Sequence, residues 1–279
     1  MFSTMGMLPV SAGNSFIDGM FYDISNLNFA EYSLLTTHIN IEGSILVVKP
    51  EAPGMQVYKY NSLEEFRAIK GPKIEHFVIA GASSSDVGAA SLGRTLANHL
   101  GEAVGVIISC FGVSDLPMEA LQSWFFFGGI QRYINEESLP SSVNAFWKQA
   151  KDEHVSSAGT QLLIDLLREE GRTIRTLLGH SKGCLSLVHA LSNVKHSWDV
   201  SNINLITVGA IVPFPTGMKN VKQYIGELDW FGGLGSDYDL PHTKIPNAWH
   251  HLNAQLPLSM NLSQVLKQAL PVPSSTSML

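Results

Sequence analysis

From Glu75 onward, short apolar runs alternate with stretches of helical spacing, and this alternation most limits the folds open to the chain. HFVIAG (76–81) precedes a helical pattern over 86–100, VGVIISC (104–110) precedes a long helical stretch, and TIRTLLG (173–179) precedes CLSLVHAL. Strands covered on both faces read as near-continuous Val/Ile/Leu runs. Linking each to the next through a helix gives a mostly parallel sheet with helices on both sides. INLITVG (203–209) and VKQYIGELD (221–229) read as further strands. A short strand is expected near Lys244 and Ile245, and a last helix over 258–270. Upstream, SILVVK (44–49) and MQVYKY (55–60) are β-rich runs joined through Pro50, Pro53 and Gly54, the pattern of an antiparallel pair leading into the sheet. The expected fold class is α/β, a mostly parallel central sheet flanked by helices.

A chain of 279 residues, 45% of them apolar, can bury one large core, so residues 1–279 are read as a single domain. Its formal charge of −6 and its lack of any Lys/Arg run offer no footprint for nucleic acid or an anionic membrane. Cys110 and Cys184 lie inside apolar stretches, where a free thiol packs as a small hydrophobe, and two cysteines make no disulfide framework. That usage favours a reducing compartment. MFSTMGMLPVSAGNSF carries no basic segment running into an apolar one, so no signal peptide is recognised and a cytoplasmic location is expected. No stretch approaches the roughly 18 apolar residues of a membrane span. The oligomeric state is not legible, no internal repeat is present, and the Pro/Ser-rich tail from Pro271 is expected to fray.

Residues 116–140, LPMEALQSWFFFGGIQRYINEESLP, interrupt the alternation with Trp124, Phe125, Phe126 and Phe127 in a row. Aromatic clusters usually pack inward, which makes this a core helix or loop; the sharper alternative is a helical cap or lid over an apolar pocket. Residues 143–170 then read as a long amphipathic helix.

The chemistry gathers at TLLGHSKGCLSLVHA (176–190), where a β-rich run stops at Ser181 between Gly179 and Gly183 and resumes with helical spacing. A strand turning sharply into a helix thrusts that serine out at its tip and leaves no room for side chains two residues to either side. A serine hydroxyl is a poor nucleophile without a base, so a carboxylate and a histidine are expected later in the chain, in that order. Asp229 closes YIGELD at the sheet edge where Ser181 would lie, with Glu227 and Asp237 as less well aimed competitors. A turn-forming Asp before Gly232, Gly233 and Gly235 is the plain alternative. The loop IPNAWHHLNAQLP offers His250, preferred as the base, and His251. The adjacent histidines lack a third ligand at a recognisable spacing and no His-Glu-x-x-His occurs, so no metal is assigned. Oxyanion donors are expected from the backbone N–H of Lys182 and from Ala82 or Ser83 in the loop GASSS, which doubles as a helix N-cap.

In this order of features, AGASSS, Gly179-His180-Ser181-Lys182-Gly183, YIGELD and AWHHLN, residues 74–270 resemble the lipase and esterase branch of the α/β-hydrolase superfamily. The resemblance implies the α/β-hydrolase fold and a cofactor-free serine hydrolase that works through an acyl-enzyme on small acyl esters or lipids, with Ser181, Asp229 and His250 as its triad. Acyltransferase or thioesterase chemistry on the same triad, and a non-catalytic binding protein of the same fold, are the alternatives. VIAGASSSDVGAASLG is also similar to the Gly-rich turn of short-chain dehydrogenases. Some 75 residues precede it, however, its glycine spacing is wrong, and no Tyr-x-x-x-Lys occurs.

If the aromatic run contacts an acyl chain, Phe126→Ala lowers hydrolysis of long p-nitrophenyl esters by about tenfold while leaving acetate hydrolysis within about twofold, the cost of a lost apolar contact. Equal losses across a chain-length panel would assign the run to the core instead.

Overall fold

The computed structural model describes residues 16–37, 41–71, 73–81, 84–109, 157–194, 200–234 and 236–271. Cys110, the segment 116–140 with its aromatic run, Ala82, Ser83 and the tail lie outside them.

The described strands are β1 (Ile45–Val48), β2 (Val57–Tyr60), β3 (His76–Ile79), β4 (Val104–Ile107), β5 (Thr176–His180), β6 (Asn204–Val208), β7 (Asn220–Gly226) and β8 (Thr243–Ile245). The helices are α1 (Phe29–Thr37), α2 (Leu63–Arg67), α3 (Asp86–Leu100), α4 (Ala158–Leu167), α5 (Lys182–Val194), α6 (Trp230–Leu234) and α7 (Leu262–Ala269). One sheet runs in the order β2-β1-β4-β3-β5-β6-β7-β8. β1 is antiparallel to both β2 and β4, and every other ladder is parallel. The chain is thus an α/β protein with a mostly parallel sheet flanked by helices.

Strand period two explains how one sheet feeds two cores. Val78, Leu178 and Ile206 face Leu92 and Leu96 of α3 and Val265 and Leu266 of α7. Their neighbours Phe77, Ile79, Leu177 and Leu205 face the other way, onto Leu163 and Leu166 of α4 and Leu187 and Leu191 of α5. Each such side chain taken from water contributes about 1.5–3 kcal/mol. The edge of this stack is closed by the segment ahead of β1. Asn28 and Glu31 cap α1 reciprocally, each backbone N–H donating to the other's side chain at 3.0 Å. Glu31 also pairs with Arg94 of α3 at 2.6 Å, and both side chains are fully buried.

Three element boundaries differ from the sequence expectation. Ser157 is extended and caps α4, accepting from Thr160 N–H at 3.2 Å, so residues 143–170 are not one continuous helix. The strand expected over 221–229 ends at Gly226, beyond which the chain turns, with Asp229 N–H donating back to the Gly226 carbonyl at 3.1 Å and Leu228 N–H to the Ala248 carbonyl at 2.9 Å. The last helix starts at Leu262 rather than 258: Leu258 has φ +64° and Asn261 caps the helix by accepting from Gln264 N–H. The helix over 86–100 matches, and Ser85 caps it through Val87 N–H.

Helix α5 crosses the sheet so closely that a Cβ on Gly183 would lie 2.2 Å from the Ile79 carbonyl oxygen and 2.8 Å from that of Ala80. Gly183→Ala is therefore expected to lower stability by about 1–3 kcal/mol. Urea unfolding should show a lower midpoint at unchanged m-value, and an unaltered midpoint would contradict this packing.

Candidate active site

β5 ends at His180 and α5 begins at Lys182, leaving Ser181 alone in the turn with φ +54°. A non-glycine residue in the left-handed region costs about 1–2 kcal/mol, and the surroundings hold it there. Ser181 N–H donates to the Val208 carbonyl at 2.9 Å, and Cys184 N–H donates to the Ser181 carbonyl at 3.0 Å. A Cβ on Gly179 would meet Cys184 N at 2.8 Å, so the glycines flanking the serine are both sterically required. Cys184 itself is a buried, free thiol pushed up to about 12 by desolvation, consistent with packing rather than chemistry.

Ser181 Oγ lies 3.0 Å from His250 Nε2, and His250 Nδ1 lies 2.9 and 3.0 Å from the two oxygens of Asp229. All three residues are buried, at 4%, 1% and 2% exposure. An ionised carboxylate only accepts, so Nδ1 carries the ring proton and the Nε2 lone pair faces the serine hydroxyl. Asp229 sits three residues beyond the end of β7 and also accepts Gly232 N–H at 2.7 Å. The turn-forming aspartate and the histidine partner, alternatives in the sequence, are one and the same carboxylate. Glycines again make room: Gly209 (φ +75°) would place a Cβ 3.0 Å from His250 Cε1, and Gly232 would place one 2.2 Å from the Gly209 carbonyl oxygen. The edge of Phe231 closes over the His250 ring at 4.8 Å between centroids.

The rival residues point elsewhere. His251 donates Nε2–H to the Pro257 carbonyl at 2.8 Å. Glu227 accepts Asn247 N–H, and Asp237 accepts Asp239 N–H. Lys182 opens α5 directly after the serine. The loop that should supply the second donor runs against the turn, since a Cβ on Gly81 would lie 3.1 Å from Ser181 Cβ; Ala82 and Ser83, next along it, are outside the described residues.

Three residues of this neighbourhood escaped the sequence reading. His180 is fully buried, and burial first, then the neighbouring His250, pushes its pKa down to about 3. Its Nε2–H donates to the His250 carbonyl at 3.1 Å, and its Nδ1 takes the Tyr22 hydroxyl at 2.9 Å. Asp18 is buried against the start of α3, where it accepts the N–H of Ser85 at 3.1 Å together with that residue's hydroxyl. Burial raises its pKa to about 6. His180 was in plain view as the variable position of Gly-x-Ser-x-Gly, whereas nothing local marks Asp18 or Tyr22.

Compared with known proteins, the chain matches no family model, no curated protein and no solved structure. Among the described residues, no helix is long and apolar enough to cross a membrane.

A histidine held neutral in the fold destabilises it wherever the unfolded chain would be protonated. Its contribution is complete above the unfolded pKa of 6.5 and is lost as pH falls from there toward about 3, a span worth about 5 kcal/mol. The unfolding free energy of the wild type should fall more steeply between pH 7 and 4 than that of His180→Gln, measured by denaturant titration. Parallel curves would rule out the buried neutral state.

Proposed function

We propose that the chain is a serine hydrolase of the α/β-hydrolase type that cleaves carboxylic esters, acyl esters or lipids, through an acyl-enzyme. Ser181 attacks the acyl carbonyl as His250 Nε2 takes its proton, and the same nitrogen returns a proton to the leaving alcohol. Asp229 fixes the ring tautomer and stabilises the imidazolium that forms. The N–H groups of Lys182 and of Ala82 or Ser83 receive the developing oxyanion, each worth about 3 kcal/mol. Water then repeats the sequence on the acyl-enzyme, and no cofactor takes part.

The observation that carries the proposal is the line of bonds from Ser181 Oγ through His250 to Asp229, at 3.0 and 2.9 Å, on a serine held in a strained turn at the carboxyl edge of a parallel sheet. A dinucleotide-binding role for the turn after β3 is disfavoured by Asp18, whose carboxyl occupies the α3 N-terminus where a pyrophosphate would have to bind.

A fluorophosphonate probe should label the wild type at a single residue, Ser181, with no labelling of Ser181→Ala. His250→Ala and Asp229→Asn should lower kcat on p-nitrophenyl esters by about 10³-fold or more while the fold persists by circular dichroism. An unlabelled wild type, or labelling that survives Ser181→Ala, would overturn the proposal. Product analysis with alcohol against water as acceptor distinguishes hydrolysis from acyl transfer on the same intermediate.

A further inference from the structure

We infer that Tyr22 is a positioning residue for the Ser181–His250 pair, acting through His180; the inference rests on the hydrolase reading above. Its phenol stands where three loops meet. Gly81 N–H donates to the Tyr22 oxygen at 2.8 Å, the Tyr22 hydroxyl meets His180 Nδ1 at 2.9 Å, and His180 Nε2 meets the His250 backbone carbonyl at 3.1 Å.

Chemistry fixes the direction of this line. An amide N–H only donates and a carbonyl only accepts, so His180 holds its proton on Nε2 and the phenol donates to Nδ1. Tyr22 meets the His180 ring edge to face at 5.3 Å, and the His180 and His250 rings lie 5.1 Å apart. The loop after β3, the serine turn and the loop carrying the base are thereby joined by one uninterrupted run of buried hydrogen bonds.

Tyr22 is itself held from both sides. Leu252 N–H donates to the Phe21 carbonyl at 2.7 Å and Asn253 Nδ2 to the Gly19 carbonyl at 2.5 Å, while Asp18 grips Ser85 at the start of α3. Residues 18–22 form a bracket between the oxyanion-side helix and the base-bearing loop. Proton transfer runs through His250 Nε2, so the phenol's part is to hold its neighbours in register, where a misplacement of about 1 Å is enough to cost 10²-fold in rate.

Tyr22→Phe keeps the ring and removes only the hydroxyl. With p-nitrophenyl butyrate, kcat should fall about tenfold or more with KM within about twofold, and fluorophosphonate labelling of Ser181 should slow by a similar factor. Long-range proton–nitrogen NMR should show His180 as the Nε2–H tautomer in both proteins, held by the His250 carbonyl, with the Nδ1 resonance moved in the variant by loss of the phenol's hydrogen bond, a change that lost packing alone would not produce. Should Tyr22→Phe fail to fold, His180→Gln against His180→Leu decides. The amide can accept from the phenol and donate to the carbonyl, so Gln should retain activity that Leu loses. Equal kcat and labelling rates in folded Tyr22→Phe, or equal activity of the two His180 variants, overturn the positioning role and leave the hydrolase standing. A wild type that does not label overturns the hydrolase reading and this inference with it.

Discussion

The close approach of α5 to β3 and β5 is the constraint from which the rest of this molecule follows. Backbone meets backbone where Gly183 faces the Ile79 and Ala80 carbonyls and Gly179 faces Cys184 N, with no side chain between them. That contact forces the chain to reverse within a single residue, and Ser181 takes the left-handed conformation as a result. Its hydroxyl is thus aimed by the geometry of main-chain packing. The same economy recurs across the site: Gly209, Gly226 and Gly232 let β6, β7 and α6 close around His250 and Asp229. The cost is left-handed backbone at several points, offset by two apolar cores on either side of the sheet.

Electrostatics then refine what packing has placed. Two buried histidines stand with rings 5.1 Å apart, yet their surroundings differ. His250 faces the Asp229 carboxylate, whereas His180 faces a phenol and a carbonyl and is kept neutral, first by burial. Asp18, with its pKa raised to about 6, follows the same rule from the acidic side: burial without a cation disfavours its charge. Glu31 has Arg94 within 2.6 Å, and the pair shares the burial cost.

The parts of this structure legible in the sequence are those set by local rules. β3, β4, β5 and β6 showed as apolar runs, the start of α3 as a serine cap, and the serine turn as a motif flanked by the right elements. The placement of Asp229 and His250 followed from their order along the chain. What remained hidden depends on distant contacts. β7 stops at Gly226 as Leu228 N–H turns to the Ala248 carbonyl at 2.9 Å, and Leu258 delays α7 as Trp249 N–H bonds its carbonyl at 2.7 Å. Asp18 and Tyr22 carry no signature, because each acquires its role from partners such as Ser85 and His180, far along the chain. The reciprocal cap of Asn28 and Glu31 was a local signal for α1 that could have been read.

The bracket of residues 18–22 has a bearing on how the site comes into being. Asn253 and Gly19, bonded in the fold, are 234 positions apart in the chain. The sheet, the serine turn and α5 lie between them in the chain. Loop closure over such a span comes after the local contacts have formed. The turn at Ser181 draws on contacts closer in sequence, such as that with Val208, so the bracket closes onto a turn already formed.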